Sequence, residues 1–258
     1  MLSKRPIFYS TVVFLLLALV VCYLVYKGWG SAWWMALVAI LYLSLLIIGA
    51  TKIQWNFYIK SIHKGNDNRQ VALSFDDGPA THTATILTIL KEHQVPAAFF
   101  CIGERASKHP EIVKQWDEEG HLIGNHSYHH GFNFDWQSTA KMQEEISRAN
   151  KYIATIIGKT PTFFRPPYGV TNPNLSQAIL NTHMHSIGWS IRSYDTTAKN
   201  EQQLLARILK QVTGGDIILL HDSMEITAKI LPHLITQLRN KGFSFARLDT
   251  LIALPAYE

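Results

Sequence analysis

The chain is 258 residues long and 47% hydrophobic, room for one sizeable domain plus something small, with no low-complexity tract or short internal repeat. Its formal net charge is +5 and its pI about 9.1, with cations crowded near the start: Lys4, Arg5, Lys27, Lys52, Lys60, Lys64 and Arg69. They flank apolar segments and do not interleave with aromatics along a face, which argues for anionic lipid as the partner and against nucleic acid.

Residues 8–26 and 32–50 are almost uninterrupted apolar stretches of about 19 residues each, close to the ~20 that cross a bilayer as a helix. A short Lys27-Gly-Trp-Gly-Ser31 turn joins them, so a transmembrane helical hairpin is predicted. Tyr23, Tyr26, Trp29, Trp33 and Trp34 crowd its turn, where interfacial aromatics belong. No small-x-small site follows the first stretch, which argues against a cleaved signal peptide. A multi-pass protein of the cell membrane is expected. Lys4 and Arg5 favour a cytoplasmic N-terminus, and two full spans then return the chain to that side; a merely interfacial second stretch would leave the remainder outside. Cys22 lies in the first stretch and Cys101 at a strand end, so a disulfide between them is implausible and the redox compartment stays open.

Residues 51–68 read as a basic linker, and 69–258 as a folded domain. Val71 to Phe75 is an apolar run ending in Asp76, Asp77, Gly78 and Pro79, a buried strand stopped by a turn. A helix over 81–93 follows, then strand 97–101, a helix over 110–119 stopped by Gly120, strand 121–125, and a long amphipathic helix over 138–157 with Ser138 as its cap and Gly158 as its stop. Strand 162–164, a helix over 173–182, strand 185–190, a helix over 201–212, strand 216–220, a helix over 226–241 and strand 243–246 complete the chain. Such alternation implies parallel strands wrapped by helices, in an open doubly wound sheet or a closed barrel.

Polar groups gather after the strands. Asp76 and Asp77 repel each other unless a cation or a shared proton relieves them, which invites a metal. His126 and His130 are spaced to share one face of a helical turn, with His129 off that face. With Asp77 they make two imidazoles and a carboxylate, a set suited to zinc or another divalent transition metal with positions left open for water. Arg165 is followed by two prolines that would aim its guanidinium, and a bidentate hold on Asp76 is expected. Asp195 and His221 close the series, the latter after the very apolar 217–220. Every set follows a strand, and the carboxyl ends of parallel strands carry the active site, so all are expected at one mouth.

Phe75-Asp-Asp-Gly78, His126-Ser-x-x-His130, Arg165-Pro-Pro-Tyr168, Asp195 and Leu219-x-His221, in that order, resemble the five motifs of the polysaccharide deacetylase family, the NodB-homology domain or carbohydrate esterase family 4. The resemblance covers about residues 69–248. It implies an α/β fold, a distorted (β/α) barrel of about seven parallel strands, and metal-dependent hydrolysis of N-acetyl groups on amino-sugar polymers. It also implies a general base at Asp76, metal ligands at Asp77, His126 and His130, and an acid at His221. Arg165 would hold Asp76, and Asp195 would tune the charged network of Arg165 and His221. Tyr168, Leu219 and Pro166 would meet the substrate, with the Tyr168 N–H facing the oxyanion. The metal expected is one divalent ion, Zn2+ or alternatively Co2+, Ni2+ or Fe2+.

One motif departs from the family pattern. Where Asp-x-x-Asp-Trp is usual, this chain has Arg192-Ser-Tyr-Asp195-Thr196, which keeps one Asp but loses the Trp that walls the sugar groove. The expected function is therefore a membrane-anchored deacetylase of a peptidoglycan- or chitin-like glycan. The alternatives are a deformylase or deacetylase of a polyprenyl-linked amino sugar, and a non-catalytic sugar-binding protein.

Overall fold

The structure, a computed structural model, describes residues 6–258. Lys4 and Arg5, on which the expected cytoplasmic N-terminus rests, lie outside the described residues. Two helices come first, α1 (Pro6–Tyr26) and α2 (Trp33–Thr51). Both are long and apolar enough to cross a membrane, and only 6% of each candidate span is buried within the protein. A helix apolar on every side has no polar face to offer water. Phe14 and Tyr42 stack between the two helices at 4.2 Å, and Thr11 Oγ1 lies 2.7 Å from the Tyr42 hydroxyl.

The remaining elements run β1 (Ser61–Ile62), β2 (Gln70–Asp76), α3 (Thr83–Glu92), β3 (Ala97–Cys101), α4 (Gly103–Lys108), α5 (Pro110–Glu118), β4 (Leu122–Asn125), α6 (Thr139–Ile157), β5 (Phe163–Phe164), α7 (Pro173–Asn181), β6 (His185–Ile187), β7 (Ile191–Arg192), α8 (Glu201–Gln211), β8 (Ile217–His221), α9 (Glu225–Asn240), β9 (Ser244–Phe245) and α10 (Leu248–Ile252). All the strand ladders are parallel, in the order β1-β6-β5-β4-β3-β2-β8-β7 with β9 added beside β2. The sheet is the expected α/β arrangement, curled into a half-barrel. Among the described residues no ladder joins its ends β1 and β7, and these two short strands raise the count to nine.

Local chemistry sets several boundaries. Ser138 Oγ accepts the Lys141 N–H at the start of α6, and Gly158 ends it with φ 69°. Helix α4 escaped the sequence reading because it opens on a glycine. Gly103 is needed there, since a Cβ would stand 2.9 Å from Ala149 of α6.

Residues 51–68 do not behave as a free linker. Ile53, Phe57, Tyr58 and Ile59 are buried, β1 pairs with β6, and Lys64 forms a 3.0 Å ion pair with Asp216. Four apolar side chains within a basic average are enough to fold the segment onto the sheet edge.

Strand alternation separates two cores. Val71, Leu73 and Phe75 of β2 face the helices, where Phe75, Phe99 and Trp116 stack with centroids 5.2 and 4.5 Å apart. Ala72 faces the inside of the curl with Phe100, Trp189 and Leu219. Ser74 and Asp76 share that inner side by the same period of two.

Candidate active site

Asp76 ends β2 in register with Phe100 of β3 and His221 of β8, so three neighbouring strands finish at one level. Adjacent strand residues normally point to opposite faces. Asp77 escapes that rule through a left-handed backbone, φ 76°, and Arg105 donates to its carbonyl oxygen at 2.7 Å. Both carboxylates are thereby turned toward the mouth.

Arg165, fully buried, lies 4.0 Å over the Phe100 ring. Its Nη1 donates to Asp76 Oδ1 at 2.7 Å and to Ser74 Oγ at 2.9 Å, Nη2 donates to the Gly188 carbonyl and Nε to that of Ile187. The expected bidentate grip is therefore corrected to a single bond, because backbone acceptors of the β6 end compete for the rest of the fork. Burial works to lower the Arg165 pKa, and the Asp76 carboxylate opposes it.

His126 is buried and its Nδ1 lies 2.8 Å from the Arg165 carbonyl, which leaves Nε2 facing Asp77 Oδ1 at 3.6 Å and Asp76 Oδ2 at 3.8 Å. His130 Nε2 is also 3.6 Å from Asp77 Oδ1. The three ligand atoms lie within 4.8 Å of one another. Ligands about 2.0–2.1 Å from a tetrahedral ion stand roughly 3.4 Å apart, so the set fits a zinc-like cation. Burial, then the charge of His126, pulls the His130 pKa down to about 4, which keeps that imidazole neutral and able to ligate.

The two imidazoles do not converge as a helical turn. The 126–130 segment is a loop, left-handed at Ser127 (φ 65°) and His130 (φ 52°). Glu145 of α6, buried, takes the His129 N–H at 2.8 Å and lies 2.6 Å from His129 Nδ1. The sequence reading missed this residue, although its signal was present: a carboxylate inside the apolar stripe of Met142, Ile146 and Ala149.

On the other side, Asp195 Oδ1 lies 2.7 Å from His221 Nδ1, while Oδ2 accepts the His221 N–H and the Thr227 hydroxyl. Burial alone would lower the His221 pKa. The hydrogen bond and charge of Asp195, with the charges of Asp76 and Asp77 behind them, raise it to about 9. Asp195 does not reach Arg165, so the expected single network is corrected to two separate pairs.

Leu219 lies on the inner face of β8 and Pro166 is buried. Tyr168 (φ 57°) is exposed, with its ring 4.7 Å from that of His130. Gly169, next to it, has φ 72° and leaves space for Trp189, which a Cβ would meet at 2.3 Å. In the loop that lacks the family Trp, Tyr194 is the exposed aromatic. Asp222, the neighbour of His221 at this strand end, is fully buried, and burial pushes its carboxyl up to about 7.

A family profile described as polysaccharide deacetylase matches residues 63–187. The chain is 34% identical over 194 residues to the peptidoglycan-N-acetylglucosamine deacetylase PgdA of Listeria monocytogenes, covering 75% of this chain but 41% of that protein's length. A Bacillus cereus peptidoglycan-N-acetylglucosamine deacetylase is 31% identical over 197 residues, 72% of this chain and 90% of that one. The solved Bc1960 peptidoglycan N-acetylglucosamine deacetylase superposes with TM-score 0.75 at 31% identity, covering 81% of this chain and 100% of that chain. The chain belongs to the polysaccharide deacetylase family, carbohydrate esterase family 4.

Proposed function

We propose that the chain is a metal-dependent amide hydrolase that removes N-acetyl groups from an amino-sugar glycan of the peptidoglycan or chitin type, held at the membrane by α1 and α2. The observation that carries this reading is the flanking of Asp77, His126 and His130 by two oppositely suited pairs, Asp76 with Arg165 and His221 with Asp195.

Asp77, His126 and His130 would hold a divalent ion, Zn2+ in the first instance and Co2+, Ni2+ or Fe2+ otherwise, which would supply Lewis-acid chemistry, polarising an acetamide carbonyl and lowering the pKa of water from 15.7 toward ~7. Arg165 occupies Asp76 Oδ1, which leaves Oδ2 as the acceptor for the proton of the attacking water. The water oxygen bonds to the carbonyl carbon, and the C–N bond then breaks. An amine leaves only when protonated, and His221, with its Nδ1 bound to Asp195, carries the proton at neutral pH and gives it up from Nε2. Acetate and the free amino sugar are the products. Tyr168, Leu219 and Pro166 line the acetyl end.

The test is acetate release from chito-oligosaccharides by the full chain. Activity abolished by a chelator and restored by zinc, and lowered roughly 10²–10⁴-fold in Asp76→Asn and in His221→Ala, is the expected result. Binding of the oligosaccharide without acetate release would leave a sugar-binding protein.

A further inference from the structure

Phe132 and Trp136 are 93% and 89% exposed, the most exposed large apolar side chains outside the helix pair among the described residues. Single exposed hydrophobics need no explanation; the place of these two does. They flank Phe134, which is fully buried in a cluster packed by Ile7 at the start of α1 and by Leu45, Leu46 and Ala50 at the end of α2. Two bonds secure the arrangement: Asn172 Nδ2 donates to the Asp135 carbonyl at 2.8 Å, and Thr171 N–H to the Ala50 carbonyl at 2.9 Å. The loop therefore stands beside the end of the helix pair, joined to it through Thr171 and Asn172.

The loop also begins two residues after His130, and its Asp135 is near enough to Tyr168, whose ring lies 4.7 Å from that of His130, for the carboxylate charge to add to burial in raising the Tyr168 pKa. Burial raises the pKa of the loop's one carboxylate, Asp135, to about 6 and leaves Oδ1 without a hydrogen bond, so the group loses its charge only below that pH. Lys52, exposed at the end of α2, adds the positive charge that anionic headgroups attract.

We propose that Phe132 and Trp136 insert into the boundary between headgroups and acyl chains beside the α1–α2 hairpin, so that the mouth of the sheet opens onto the bilayer surface and takes amino sugars held there. The inference rests on the hydrolase reading and on the helix pair as membrane spans. A Trp with a neighbouring Phe suits that layer, because one end of the indole stays wet while the rings leave water. Sugars carried on a lipid are then delivered at the depth of the site, and soluble glycans gain nothing from the loop.

The test uses the full chain in phosphatidylethanolamine–phosphatidylglycerol vesicles with two substrates, chitotetraose in solution and an N-acetylglucosamine disaccharide on a long alkyl anchor in the same vesicles. Phe132→Ser/Trp136→Ser is expected to leave chitotetraose hydrolysis within about twofold and to cut hydrolysis of the anchored sugar roughly tenfold or more. Lipids brominated near the headgroup should quench the Trp136 emission, read as the difference between the native chain and Trp136→Phe. Equal loss on both substrates would overturn the proposal in favour of aromatic stacking on sugar. No loss on either, or an unquenched Trp136, would place the loop in water. If the native chain hydrolyses neither sugar, the hydrolase reading fails, and the quenching still decides the membrane contact.

Discussion

Asp195 holds His221 at two points, its Oδ1 2.7 Å from the ring Nδ1 and its Oδ2 on the backbone N–H, so ring and strand end are fixed together. The imidazole is consequently presented with Nε2 toward the mouth and with a pKa of about 9. Because this folded value lies above the unfolded one, the pair stabilises the fold fully below about pH 6.5 and loses that contribution as pH rises through about 9.

Asp195→Asn should therefore move the alkaline limb of the kcat/KM profile from near 9 toward neutrality. Chemical denaturation should show the stability gap between the two proteins closing as pH rises past that value. An alkaline limb that stays in place would remove His221 as the proton donor.

Asp77→Ala removes the one oxygen that faces both imidazoles at 3.6 Å. Zinc affinity, followed by competition with a chromophoric chelator, is expected to fall by at least about a hundredfold, with the far-UV spectrum unchanged. Undiminished affinity would contradict the ligand set.

Glu145→Ala frees the loop between His126 and His130 while touching neither. The expected loss in zinc affinity is roughly 10–100-fold, as for other residues that orient ligands from behind. Glu145→Gln keeps an acceptor for the His129 N–H and should fall between the two. Thermal melting separates this effect from global unfolding, since only the alanine variant leaves a cavity against Met142 and Ile146.

Arg165→Met leaves Asp76 buried without a cation and strips the Ser74 hydroxyl of a donor. Breaking a buried pair in this way costs about 3–5 kcal/mol, measurable by urea denaturation. Arg165→Lys recovers only part of it, because one ammonium cannot reach Asp76, Ile187 and Gly188 as the planar fork does.

Much of this site was legible in the chain. Asp76, Asp77, His126, His130, Arg165, Asp195 and His221 each follow a strand or close one, and parallel order sends every strand end to the same rim. The errors share a cause. The helical spacing of His126 and His130 misled because a loop with two left-handed residues can bring two imidazoles together as well as a helix can. The bidentate grip on Asp76 misled because motif order says nothing of the Ile187 and Gly188 carbonyls that compete for Arg165.

The sequence by itself determined the alternation of strands and helices, the caps of α6, and which polar side chains stand after the strands, since each depends on neighbours a few residues away. Only the tertiary structure decided that Asp195 serves His221 and not Arg165, that Glu145 steadies the imidazole loop, and that Phe134 joins the cluster packed where α1 begins and α2 ends. Those relations join residues far apart in the chain, and the curl of the sheet, which no local pattern encodes, sets which of them meet.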